Sequence, residues 1–242
     1  MTTDQIIALF ASIAACLTAI ASFIVLLQNY KQRQASYRPE IVLKKITFET
    51  TECDSKLIPK DWFSQDYKPQ NSFFALPIVN IGLGTAKQIK ATWFFDFKTY
   101  INEINKSAQE ALIPAYFEYE NEVLNFKSDL DSAIHFWSNQ KYQEIDYILP
   151  ISIDGNPAEL FFPKAIIFAI TSDCFFWLQK DDRKKIDFPV FPKIELQLCY
   201  YDIGNKKHCE KFEIKIELSV VKGERNSPCS FEGFIKSERK NN

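Results

Sequence analysis

The sequence predicts a mainly β protein: an N-terminal transmembrane helix followed by an antiparallel, immunoglobulin-like β-sandwich with helical insertions. Three observations carry that expectation. Positions 6–27 hold no charged side chain, the remainder repeats apolar residues at every second position, and no β-helix-β spacing recurs. Residues 1–37 then form a transmembrane helix with a basic juxtamembrane segment, and residues 38–242 form one domain.

Ile6 to Leu27 give 22 consecutive uncharged residues. As a helix they extend roughly 33 Å, enough for a hydrocarbon core of about 30 Å. A cleaved leader would begin with basic residues and have a shorter apolar run, whereas the only early charge is Asp4. A buried core helix would carry a polar stripe, and this run offers only Ser and Thr. Lys31, Arg33 and Arg38 follow the run while no Lys or Arg precedes it, which predicts an outside N-terminus and a cytoplasmic domain at the inner membrane. Ala11, Ala15 and Ala19 recur every four residues, with Ala8, Ser12 and Ser22 at neighbouring offsets, so one face suits close helix–helix contact and a homo-oligomer.

Beyond Pro39 the period is two. Ile194, Leu196, Leu198 and Tyr200, then Phe212, Ile214, Ile216, Leu218 and Val220, alternate with polar residues around a turn at Asp202–Lys207, which predicts an antiparallel hairpin. A second hairpin is expected between positions 73–81 and 89–97, closed by Gly82-Leu83-Gly84. Further strands are expected at 41–49, 115–120, 123–127 and 144–151, and helical insertions at 100–112 and 129–140. The segment 163–179 reads equally as strand or helix; its length and Asp173 argue against a second span. The polar stretch 51–71 reads as a long loop, and 223–242 as a polar tail with Phe231, Phe234 and Ile235 docking back.

Composition limits the chemistry. Lys plus Arg number 29 against 31 Asp plus Glu, a net charge of −2 that lacks the footprint of a nucleic-acid binder. Only His135 and His208 exist, so histidine-based catalysis or metal binding has almost no material, and no cofactor is expected. His208 and Glu210 flank Cys209, and adjacent strand residues point to opposite faces. The Gly82-Leu83-Gly84 loop lacks the third glycine and following helix of a nucleotide fingerprint. Glu118, Glu120 and Glu122 make a small acidic row on alternate positions. Cys53, Cys174, Cys199, Cys209 and Cys229 form an odd set without paired spacing, which suits a reducing compartment. Neighbouring aromatics at 73–74, 161–162 and 200–201 should each put one ring outside.

The order of one N-terminal span, a basic flank, Tyr-Arg-Pro-Glu-Ile at 37–41, Asn-Ile-Gly-Leu-Gly-Thr-Ala-Lys at 80–87 and Tyr-Tyr-Asp-Ile-Gly at 200–204 resembles uncharacterised bacterial single-span proteins with a cytoplasmic β-sandwich. The resemblance implies fold and topology and brings no functional residues. Some small bacterial proteins of similar layout are membrane effectors in antiviral defence. The expected function is a membrane-anchored, non-enzymatic cytoplasmic recognition or adaptor module with a protein partner. The alternative is a membrane-disrupting defence effector that assembles through its transmembrane helix.

Overall fold

The computed structural model describes residues 2–51, 58–68, 73–180, 189–223 and 227–240. It begins with the helix α1 (Thr3–Ser36), whose described side chains up to Arg33 are exposed. This helix is long and apolar enough to cross a membrane. The chain then enters a mainly β region built from antiparallel sheets.

Strands β1 (Ile41–Leu43) and β2 (Ile46–Thr50) replace the single strand expected over 41–49, and the break at Lys44-Lys45 sends them into different sheets. β3 (Trp62–Phe63) pairs with β2 inside the stretch expected to be loop. The Trp62 ring is buried, stacks on Phe48 at 4.1 Å and donates from Nε1 to Thr171 Oγ1 at 2.9 Å. Positions 52–57 and 69–72 of that stretch lie outside the described residues.

β4 (Ala75–Asn80) and β5 (Ala86–Phe94) do not form the expected hairpin. β4 joins β1 and β10 (Ala158–Phe161), whereas β5 joins the large sheet. Gly82 and Gly84 mark a crossing between layers; a glycine-bearing connection looks the same in sequence whether its strands pair or part. All six residues of β4 are buried, as befits a strand covered on both faces.

The large sheet runs β3-β2-β13-β12-β11-β5-β9, with β11 (Ile194–Tyr201), β12 (Lys207–Lys222), β13 (Ser230–Lys240) and β9 (Tyr142–Ile148). The β11–β12 hairpin forms as expected and pairs Ile194 with Ile214 and Leu196 with Phe212 on the buried face. The polar tail is instead an eleven-residue strand, β13, inserted between β2 and β12. Its Phe231 and Ile235 are buried, an alternation that the surrounding charges hide in sequence. Phe162, immediately after β10, meets Trp93 of the large sheet at 5.1 Å and Trp62 at 5.9 Å, which joins the two sheets through one aromatic core.

The helix α2 (Phe97–Glu110) forms where an insertion was expected, capped by the Asp96 side chain on the Thr99 N–H. Position 129–140 instead holds β8 (Ser132–Phe136) and one helical turn, α3 (Trp137–Gln140). β8 completes a meander with β6 (Ala115–Glu120) and β7 (Val123–Ser128). Asn121 and Glu122 both have positive φ in the tight β6–β7 turn, so Glu122 leaves the acidic row and pairs with Lys141.

The ambiguous segment is α4 (Lys164–Gln179), a helix buried on nearly all sides. Three of its polar side chains are hydrogen-bonded: Thr171 and Ser172 donate to carbonyls one turn back, and Asp173 accepts from Tyr100 at 3.0 Å. Burial holds the Asp173 carboxyl above its ordinary value, partly offset by that hydrogen bond. Asn105 spends its amide on the Phe117 backbone, accepting from N–H and donating to C=O at 2.8 and 2.9 Å.

The cysteine expectation is overturned for one pair. Cys199 and Cys209 are direct partners across β11 and β12, with Cα atoms 4.1 Å apart, and form a disulfide. Their pairing follows from the register of the hairpin and from no feature of their spacing. Of each aromatic doublet, Phe74, Phe162 and Tyr200 are buried while Phe73 is exposed and Phe161 and Tyr201 lie half-buried.

Ile216 lies buried on β12, so Ile216→Asp is expected to lower stability by about 3–5 kcal/mol through an unpaired buried charge, read as a shift in the urea midpoint followed by tryptophan fluorescence.

Candidate membrane-proximal site

The chain leaves α1 and enters the domain through Tyr37, Arg38, Pro39 and Glu40, and the domain is shaped to receive those four residues. A Cβ on Gly84 would lie 1.7 Å from the Tyr37 carbonyl oxygen, and one on Gly82 would lie 2.3 Å from that of Arg38. Only glycine leaves room for the entering backbone. The Asn80-Ile-Gly-Leu-Gly segment is therefore a seat for the chain that follows α1.

Asn80 locks the seat. It is fully buried at the end of β4. Its Oδ1 accepts from the backbone N–H of Glu40 and of Gly82, each at 3.0 Å. Its Nδ2 donates to the carbonyls of Gly84 at 2.6 Å and Ile148 at 3.2 Å. The Asn80 carbonyl accepts from Ile151, and Ile81 donates to the Glu40 carbonyl, both at 2.8 Å. One side chain thus ties the segment after α1, the 81–85 loop and the end of β9 together, with every amide group used.

Beside this clasp the buried face of the large sheet ends in polar residues. Tyr200 donates to Glu210 Oε1 at 2.8 Å, and Arg239 reaches the same oxygen at 2.5 Å. Burial and the neighbouring Glu210 carboxylate push the Tyr200 hydroxyl well above its ordinary value. His208 stacks on Tyr200 with ring centroids 5.4 Å apart and bonds Asp202 at 2.9 Å. Burial acts to raise the Asp202 carboxyl, but the His208 ring and the Lys206 N–H outweigh it and hold the group below its ordinary value. Arg38, Lys206, Lys207, Arg239 and Lys240 line a concavity of about 510 Å³ over these groups. Lys240 is committed to Glu195 at 2.8 Å and Glu213 at 3.5 Å. Bonds from Lys240 and Lys193 hold the Glu195 carboxyl at about 2.

The sequence-derived residues fall into two groups. Arg38 lines the concavity, two residues beyond the end of α1, whereas Lys31 and Arg33 are exposed on the last turns of the helix itself. Ala11, Ser12, Ala15, Ala19 and Ser22 are exposed on α1, and Ser22 donates to the Thr18 carbonyl. The side chain of Ala8 lies outside the described residues. Sequence reasoning missed Asn80, Tyr200, Glu210 and Arg239. The signal for Asn80 was present as an Asn directly before a Gly-x-Gly turn; the other three meet only through register. Among the described residues no group of three or more His, Cys, Asp or Glu side chains could hold a metal ion.

No protein family, curated protein or solved structure matches the chain.

Asn80→Ala is expected to cost about 2–4 kcal/mol, because buried backbone groups of Glu40, Gly82, Gly84 and Ile148 lose their partner; faster proteolytic cleavage near Tyr37 would register it. The Glu195 network should also set an acid limit. A depressed carboxylate contributes stability that is complete above its ordinary value of 4.5 and disappears as pH falls through about 2. Lys240→Gln should move the Glu195 titration, followed by NMR, upward toward the ordinary range.

Proposed function

We propose that the chain is a membrane-anchored, non-enzymatic recognition module, its α1 helix crossing the bilayer and its β domain presented to a protein partner in the cytoplasm. The observation that carries this reading is the clasp. An exposed apolar helix enters the domain through a segment fixed by Asn80 and by two glycines with no space for a Cβ. A flexible tether would need none of this. The domain is held at a set pose beside its anchor, which suits presentation of one face to a partner.

The cytoplasmic orientation rests on Lys31, Arg33 and Arg38, which follow the span. The Cys199–Cys209 disulfide pulls the other way, since such bonds persist in oxidising compartments. The basic flank takes precedence here, because it acts when the helix inserts, whereas a facing cysteine pair can be reduced in place. The finer architectural reading, an immunoglobulin-like sandwich, is supported by the packing of the β1-β4-β10 sheet on the large sheet through Phe162. A seven-stranded layer and the buried α4 would make it an enlarged variant.

The defence-effector reading keeps one specific support: the small residues Ala11, Ala15 and Ala19 are exposed along α1 and available to a second copy. Expression of the native chain and of Ala15→Leu separates the two. Growth and membrane potential unchanged in both are expected for an anchored module, whereas depolarisation by the native chain, lost in Ala15→Leu, would establish the effector.

Topology is tested in intact cells. A cytoplasmically active reporter fused after Asn242 should be functional, and Cys199 and Cys209 should react as free thiols with a membrane-permeant maleimide. A periplasm-dependent reporter that works there, with the pair oxidised, would reverse the orientation.

A further inference from the structure

We infer that the end of the β domain nearest α1 rests on the bilayer surface, with three loop tips inserted among the lipid headgroups. This rests on the reading of α1 as a membrane span. Outside α1, the exposed Ile and Leu side chains among the described residues are Ile81, Leu83, Leu112, Leu130, Ile134, Ile151, Ile153 and Ile203. Five of these eight lie on three loops: Ile81 and Leu83 between β4 and β5, Ile151 and Ile153 after β9, and Ile203 between β11 and β12.

The pairing of the sheets brings those loops to one end. Tyr201 pairs with Lys87 and Ala86 with Ile148, so the start of β5 lies between the end of β11 and the end of β9. Lys87 donates to Asn205 at 3.1 Å, which ties the 202–206 turn to the same edge. Ile151 bonds the Asn80 carbonyl, and Asn80 holds Glu40. All three tips therefore surround the point at which the chain arrives from α1.

Their covering follows from that position. With Leu27 at the edge of the hydrocarbon core, Lys31 and Arg33 reach the headgroup layer and Arg38 stands just beyond it, roughly 16 Å of helix past Leu27, so the side chains grouped around Arg38 face that layer. Aliphatic tips take that position favourably because they leave water for the acyl boundary. The exposed charges agree. Lys31, Arg33, Arg38, Lys206 and Lys207 outnumber Glu40, Asp146 and Asp154, and the half-buried Asp202 is already bonded to His208. The surplus is positive, which suits anionic headgroups.

The test uses the full chain in vesicles of phosphatidylcholine with and without phosphatidylglycerol. A polarity-sensitive fluorescent amino acid is placed at 30, 112, 153 or 203, and a quencher is carried near the top of the lipid acyl chain. The expected result is loss of most emission at 30, 153 and 203 with none at 112, stronger at 153 and 203 when phosphatidylglycerol is present. Quenching at 30 alone overturns the resting surface and leaves the span intact. No quenching at any position overturns the span and the inference with it. A second measurement guards against a probe that distorts its loop. Hydrogen exchange of the 149–157 amides in vesicles should accelerate in Leu83→Ser/Ile153→Ser/Ile203→Ser, and exchange equal to that of the native chain would also overturn the inference.

Discussion

The Asn80 carboxamide is the interaction on which the rest of the architecture depends. A strand at the end of a sheet normally leaves backbone groups to water, and here three segments end around one fully buried side chain. The four bonds of one side chain replace the missing peptide partners, so β1 can begin, β5 can depart for another sheet and β9 can end within a few ångströms of each other. An Asp in its place would present acceptors to two carbonyls, and a Leu would satisfy none of the four groups. The same economy appears at Asn105 on Phe117 and at Gln143, whose amide bonds the backbone of Glu159 and Phe161 and stitches β9 to β10. Carboxamides stand in for peptide units wherever two elements meet without a ladder.

Around these seams the apolar mass is unusual in its distribution. α4 is surrounded by protein and carries almost no polar stripe, the same signature that α1 shows with every described side chain exposed. Length separates them: 16 residues against 34. Trp62 on Thr171, and Tyr100 on Asp173, show how the buried helix differs in detail, since these two polar side chains each have a partner in a neighbouring element.

Legibility in the sequence follows the range over which each feature is determined. The α1 run, the β11–β12 hairpin and α2 are local, and their periodicities identify them. The β4–β5 connection was misread because its glycines serve a chain segment some forty positions upstream, and no local pattern distinguishes a tight hairpin from a crossing that must admit another backbone. β13 was hidden because its outward residues are charged and its partner β2 is drawn from the start of the domain. The candidate site was half visible: Arg38 and the Gly82-Leu83-Gly84 loop stood out as residues, but their meeting, and that of Asn80, Tyr200, Glu210 and Arg239, is a product of register. Cys199 and Cys209 belong with them, since only the exact length of the 202–206 turn sets them face to face.

The place of β13 bears on how such a chain is made. Ile46 of β2 pairs with Ile235 of β13, so β2 has no neighbour on that side until nearly all of the intervening chain has been synthesised. At about 5–20 residues per second, that is a wait of roughly ten to forty seconds. Throughout it, β2 offers an open edge within reach of other nascent chains. The exposed pair Lys44-Lys45, at the head of that strand, puts two like charges where a second copy would have to add.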